Sequence, residues 1–287
     1  MRGRLSEIAA HRAGSLDDLA NRLAATPAPR LVAGGTDVMV QLEAGVQRPH
    51  ESFIDLTGLA DALRYHRLEG DVLEIGALAT YRDTRERPAV TGAFPLLELA
   101  ARTIGATQIQ TRGTWAGNIA NGSPAADGVA ALLAYDAEVV LAGRAGRRTT
   151  PLHGFFTGYK QMGMTPGEYI AAVRLPLRPP DRWFAFHKVG TRRAQAITKA
   201  GLTLNRRADG SWRIVGTSLA PFVTRYPDLE RLFEAQGDDV ARIDPRQLAD
   251  VVAASVKPID DIRSTADYRR QVVLNLLRDA SARAGAA

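Results

Sequence analysis

The chain has 287 residues, 45% of them hydrophobic, which is enough apolar side chain for a packed core and enough length for two domains. Cysteine is absent, which excludes a disulfide framework, a thiolate zinc site, a cysteine nucleophile and thiolate-held iron–sulfur clusters on this chain. The formal charge of +6 is carried by scattered arginines that form only short pairs such as Arg147-Arg148 and Arg206-Arg207; without an aromatic-interleaved basic stripe this reads as solvated surface or an acidic ligand, and not as a nucleic-acid face.

In chain order, Ser15-Leu16-Asp17-Asp18-Leu19 opens a helix, with Ser15 as cap, Asp18 answering at the third position, and Leu16, Leu19 and Leu23 on one face. A short strand at 31–33, the turn Gly34-Gly35-Thr36-Asp37, an amphipathic helix with Val38, Val40 and Leu42, and a strand at 53–56 complete a small α/β unit. Residues 63–68 and 72–77 flank Glu69-Gly70-Asp71 as a hairpin. Helices are predicted at 80–85 and 95–103, then a Gly- and Thr-rich passage, then a helix started by Ser123-Pro124. Strands follow at 138–141 and 169–175, and Leu177-Arg178-Pro179-Pro180 reads as a linker. Beyond it come three strands (183–189, 200–205, 212–219) and three helices (229–236, 248–256, 268–284), an α+β domain. No stretch approaches the ~20 apolar residues of a membrane span. Met1-Arg2-Gly3-Arg4 precedes no apolar run of the secretory kind, so a soluble, cytoplasmic protein is expected.

Two segments are candidates for chemistry. In Gly34-Gly35-Thr36-Asp37 the glycines allow positive φ and close backbone approach. Successive N–H groups there, ahead of a helix, form a concave anion site suited to a diphosphate. An unliganded strand-to-helix turn fits the same four residues. The second segment runs from Gly113-Thr114-Trp115-Ala116-Gly117-Asn118 through Ser123 to Asp127. Its small residues let an extended ligand lie against the backbone, with hydrogen bonds from Thr114, Asn118, Ser123 and Asp127. Trp115 packs either on an aromatic ligand or in the core. Two such segments together favour one long cofactor held at two places. No G-x-G-x-x-G, P-loop, H-E-x-x-H or G-x-S-x-G motif is present. Lys188 ends a strand, either as surface charge or as a cation beside a ligand ring. His11, His50, His66, His153 and His187 have no ligand spacing and read as structural.

At these segments the chain resembles the FAD subunits and FAD domains of the xanthine dehydrogenase family of molybdenum hydroxylases. Val32-Ala33-Gly34-Gly35-Thr36-Asp37 is similar to the family's first flavin loop. Thr103-Ile104-Gly105-Ala106-Thr107-Gln108-Ile109-Gln110-Thr111-Arg112-Gly113-Thr114, Gly117-Asn118-Ile119-Ala120-Asn121 and Ser123-Pro124-Ala125-Ala126-Asp127 are similar to the second. Phe155-Phe156-Thr157-Gly158-Tyr159-Lys160, the run from Lys188 to Ile197 and Pro258-Ile259-Asp260-Asp261-Ile262-Arg263-Ser264-Thr265-Ala266 are similar to further signatures. Trp115 and Ala116 depart from the pattern, standing where an aliphatic residue and glycine are common, against the implied cofactor wall.

The resemblance implies an α+β protein with a two-subdomain FAD-binding fold of the vanillyl-alcohol-oxidase (PCMH) type, residues 1–55 and 56–177, and a C-terminal domain, residues 181–287, with a three-stranded antiparallel sheet and helices, of the CO dehydrogenase flavoprotein type. It implies that Val32, Ala33, Gly34, Gly35, Thr36 and Asp37 hold the diphosphate through main-chain amides, that Thr114, Gly117, Asn118 and Asp127 contact FAD, and that Ile170 and Lys188 lie near the isoalloxazine ring. No side chain need act as nucleophile or general acid, and no metal binds this chain. Two partners are implied: a large molybdopterin subunit, where a purine or other N-heterocycle is hydroxylated, and a small subunit with two [2Fe–2S] clusters. Electrons pass through FAD to NAD+ or another acceptor.

Overall fold

The structure is a computed structural model that describes residues 9–45 and 52–286; Met1 to Arg4 and His50 lie outside the described residues. Strand β1 (Ala9–Arg12), helix α1 (Leu16–Ala25), β2 (Arg30–Val32), α2 (Val38–Glu43) and β3 (Ser52–Asp55) alternate along the chain. The strands form a parallel sheet in the order β1-β3-β2. The Ser15 hydroxyl accepts from the Asp18 N–H, while the Asp18 carboxylate reaches back to Gly14 N–H at 3.0 Å, one residue before the position expected. Leu19 and Leu23 pack with Ile54 and Leu56; Leu16 stays exposed. The sequence hides β1 because Ala9-Ala10-His11-Arg12 is an exposed edge with no alternation.

The next sheet is antiparallel, in the order β4-β5-β10-β6-β7. After the short helix α3 (Ala60–Leu63), β4 (His66–Glu69) and β5 (Val72–Gly76) make the predicted hairpin. Six helices then intervene: α4 (Tyr81–Arg85), α5 (Pro88–Ala93), α6 (Pro95–Thr103), α7 (Thr107–Gln110), α8 (Trp115–Asn121) and α9 (Asp127–Ala134). Strands β6 (Glu138–Gly143) and β7 (Gly146–Pro151) follow, then the small β8 (Phe156–Gly158) and β9 (Gln161–Met162) pair, and β10 (Tyr169–Pro176) returns between β5 and β6.

The helix expected from Ser123-Pro124 begins instead at Asp127. Ser123 forms a turn, its carbonyl accepting from Ala126 N–H and its hydroxyl from Ala125 N–H. Ala126, at the cap, has no side-chain acceptor; Asn118 on α8 supplies one to Val129 N–H at 3.0 Å. All eight residues of α9 are buried, as an apolar helix requires.

The C-terminal sheet has four antiparallel strands, not three: β11 (Trp183–Val189), β12 (Ala200–Arg206), β13 (Trp212–Thr217) and β14 (Thr224–Arg225). The extra strand is two residues long and pairs with Val215 and Gly216, too short to show a periodicity. Helices α10 (Pro227–Ala235), α11 (Pro245–Ser255) and α12 (Ala266–Ala284) cover the sheet, burying Trp212, Phe233, Leu248, Val273 and Leu277.

Asp136, just after α9, ties this sheet to the rest. Its carboxylate accepts from Arg207 (2.7 Å), Arg213 (2.8 Å) and Arg225 (2.9 Å) on or beside the C-terminal strands, and from Arg178 in the linker (3.3 Å). Burial pushes the Asp136 carboxyl up, but the Arg213 and Arg207 guanidinium groups outweigh it and hold the pKa at about 2.

Candidate cofactor cleft

The loop 33–37 leaves the carboxyl end of β2, where parallel sheets place their ligands. Gly35 has φ +72°, a left-handed turn that glycine takes without strain. Among the described residues, nothing accepts a hydrogen bond from the N–H of Gly34, Gly35, Thr36 or Asp37. Four consecutive donors without protein partners suit an anion.

The second glycine-rich run closes against this loop. A Cβ on Gly34 would fall 1.8 Å from the Arg112 carbonyl oxygen, and Arg112 Nε donates to the Gly34 carbonyl at 3.1 Å. Thr114 caps α8, its hydroxyl accepting from Gly117 N–H at 2.9 Å. Along the runs lie two adjoining chambers, of about 400 and about 750 Å³, which share Thr36, Asp37, Tyr81, Asn118 and Asn121.

Of the residues named from the sequence, Ala33, Gly34, Gly35, Thr36, Asp37, Thr114, Gly117, Asn118 and Ile170 line the first chamber. Asp127 and Lys188 line the second. Val32 stays out of the lining: it is a sheet residue, paired with Asp55, that backs the loop from behind. Ile170 and Lys188, expected beside one ring, line different chambers. Trp115 is fully buried, donates to Thr84 Oγ1 at 2.8 Å and packs edge-on to Tyr81. It is core and does not reach the cleft wall; Ala116 does.

In the second chamber Lys188 Nζ donates to Asp127 Oδ2 at 2.6 Å and to the Thr103 carbonyl at 2.9 Å. The Thr198 hydroxyl donates to the other oxygen of Asp127 at 2.6 Å. Burial pushes the Asp127 carboxyl up, and the Lys188 ammonium and Thr198 hydroxyl oppose it. Shelter in the cleft likewise pushes the Asp37 carboxyl up, against the attraction of Lys160. Sequence reasoning missed Thr198 and Tyr81. Both sit beside recognisable motifs, but only the fold turns them inward.

An extended molecule with an anionic middle fits this geometry: unpaired amides running from the first chamber to the residues both chambers share, an apolar wall of Leu31, Leu56, Met162 and Ile170 in the first, and a paired lysine in the second. Residues 6–178 match the family described as "FAD binding domain in molybdopterin dehydrogenase". The chain is 31% identical over 260 residues to the carbon monoxide dehydrogenase medium chain of Hydrogenophaga pseudoflava, covering 88% of this chain and 87% of that protein. It is 29% identical over 282 residues to the xanthine dehydrogenase FAD-binding subunit of Escherichia coli O157:H7, covering 96% of each. A solved carbon monoxide dehydrogenase from H. pseudoflava superposes with a TM-score of 0.87 at 28% identity, over 97% of this chain and 98% of that one. The chain therefore belongs to the family of FAD-binding domains in molybdopterin dehydrogenases, and is a FAD-binding oxidoreductase subunit of the molybdenum hydroxylase type.

Proposed function

We propose that this chain holds FAD across the two chambers and serves as the electron-transfer subunit of a cytoplasmic molybdenum hydroxylase complex. Electrons come from [2Fe–2S] clusters on a small partner subunit and leave to NAD+ or another acceptor. The organic substrate, a purine or other N-heterocycle, is hydroxylated on a large molybdopterin subunit. FAD supplies the exchange between one-electron and two-electron chemistry; the chain supplies binding, orientation and charge.

The observation that carries this reading is the set of four unpaired amides at residues 34–37 facing a cleft whose other wall is the second glycine-rich run. In this reading the amides of 34–37 hold the diphosphate, with Thr114, Gly117 and Asn118 opposite. Asp127 fixes Lys188 so that its ammonium faces the ring and favours electron density there. Ile170, expected near the isoalloxazine ring, lines the first chamber, and Lys188 the second. Residues 1–55 and 56–177 clasp the cofactor, and 181–287 closes the ring end.

The test is to titrate the purified chain with FAD and follow flavin absorbance near 450 nm, then to co-purify it with its complex. The chain binds FAD but oxidises no N-heterocycle alone. A chain that stays colourless in excess FAD, or that is fully active without partners, overturns the reading.

A further inference from the structure

Tyr81 is 2% exposed, yet it lines both chambers, among the residues they share. Its hydroxyl makes no hydrogen bond to any described residue. The hydroxyl of Tyr226 is sealed in the interior, whereas that of Tyr81 opens onto the cleft. The ring is held on several sides. It meets Trp115 edge-on at 4.9 Å. A Cβ on Gly113 would come within 2.9 Å of its edge, and one on Gly128 within 3.4 Å of its oxygen. Its own N–H donates to the Gly113 carbonyl at 3.1 Å. The hydroxyl is thus aimed at one point before any ligand arrives, and little further side-chain freedom is lost on binding.

We propose that the Tyr81 hydroxyl is a cofactor-holding donor, hydrogen-bonded to an oxygen of the ribityl–diphosphate span where FAD crosses between the chambers. This rests on the FAD reading above. FAD carries a flat aromatic ring system at each end, so lying across both chambers it places its oxygen-rich middle at the residues they share. An occupant there strips water from the hydroxyl and must replace the lost bond. Burial, with the Asp37 and Asp127 charges, pushes the Tyr81 phenol well above its ordinary range, so it remains a neutral donor. The two carboxylates accept and cannot donate when ionised, so the side-chain donors shared by the two chambers are Tyr81, Thr36, Asn118 and Asn121, and of these Tyr81 is the one whose ring is packed in place before any ligand arrives.

The experiment compares FAD titrations of the wild-type chain and Tyr81→Phe, read by flavin fluorescence. The variant binds FAD about tenfold more weakly, as loss of one hydrogen bond to a charged group would give, while the unfolding midpoint without FAD is unchanged. In the wild-type chain labelled with 13Cζ-tyrosine, the Tyr81 resonance moves on adding FAD; this second measurement stands even if the variant folds poorly. Equal affinities with a stationary resonance overturn the assignment and leave the FAD reading intact. A wild-type chain that does not bind FAD overturns both.

Discussion

The main-chain carbonyl of Arg112 occupies the space that a β-carbon on residue 34 would need, 1.8 Å away, and the Arg112 side chain returns a hydrogen bond to the Gly34 carbonyl. The two glycine-rich runs, 78 positions apart in sequence, are therefore one wall of backbone. Glycine is required at 34 for space and at 35 for conformation. A Cβ on Gly35 would meet nothing closer than 3.5 Å, but its φ is +72°.

Gly34→Ala should therefore be the more damaging substitution. It forces the loops apart, and FAD affinity falls about tenfold or more, the scale of overpacking a tight contact. Gly35→Ala costs about 1–2 kcal/mol of backbone strain and weakens FAD less. Parallel FAD titrations and melts check the ranking; a smaller effect at 34 than at 35 would count against the closed-wall description.

Lys188 and Asp127 are both nearly sealed, with side chains 12% and 8% exposed. Lys188→Met leaves the Asp127 carboxylate with Thr198 alone and should cost about 3–5 kcal/mol. Adding Asp127→Asn removes the stranded charge and should recover much of that loss. Denaturant unfolding of the two single variants and the double variant measures the coupling. Strictly additive effects would show that the pair is not coupled.

Asp136→Asn tests the arginine hub that joins the C-terminal sheet to the flavin-binding unit. Asparagine tolerates the left-handed backbone at this position (φ 51°), so the change isolates the charge. At neutral pH the variant should lose about 3 kcal/mol. Because the folded carboxyl sits at about 2 against an ordinary 3.8, its contribution is complete above about pH 4. It is lost as pH falls toward 2. The wild-type and variant stabilities should converge in that window and stay apart above it.

His66 acts in the next pH window up, with the same sign. Burial, then the Arg87 charge, lowers its pKa to about 4. Its Nε2 is bonded to Thr84 Oγ1 at 2.8 Å, and its Nδ1 is buried without a partner. The folded state keeps the ring neutral while the unfolded chain protonates below 6.5, so stability falls as pH drops from 6.5 toward 4. The loss between pH 7 and pH 5 should reach about 2 kcal/mol. His66→Gln should flatten that slope; an unchanged slope would assign it to other groups.

Much of the local structure was legible in the sequence. Strand 183–189 and helix 95–103 have their predicted bounds, because an aromatic-rich run following a proline linker and a proline-started apolar face leave little choice. The two small-residue runs were legible for the same reason: only glycine allows such close approach. What escaped were elements without period or length, such as β1, β7 and β14, whose residues are mostly exposed or too few.

By itself the sequence determined composition, caps, the linker and the two runs able to meet a cofactor backbone to backbone, since these depend on residues near one another in the chain. Tertiary structure decided the rest. It pressed Gly34 onto Arg112 and sent Ile170 and Lys188 to separate chambers. It buried Trp115, set Tyr81 among the residues both chambers share and gathered four arginines on Asp136. Each of these depends on groups brought together by sheet order and helix packing, where distance in space is independent of distance along the chain.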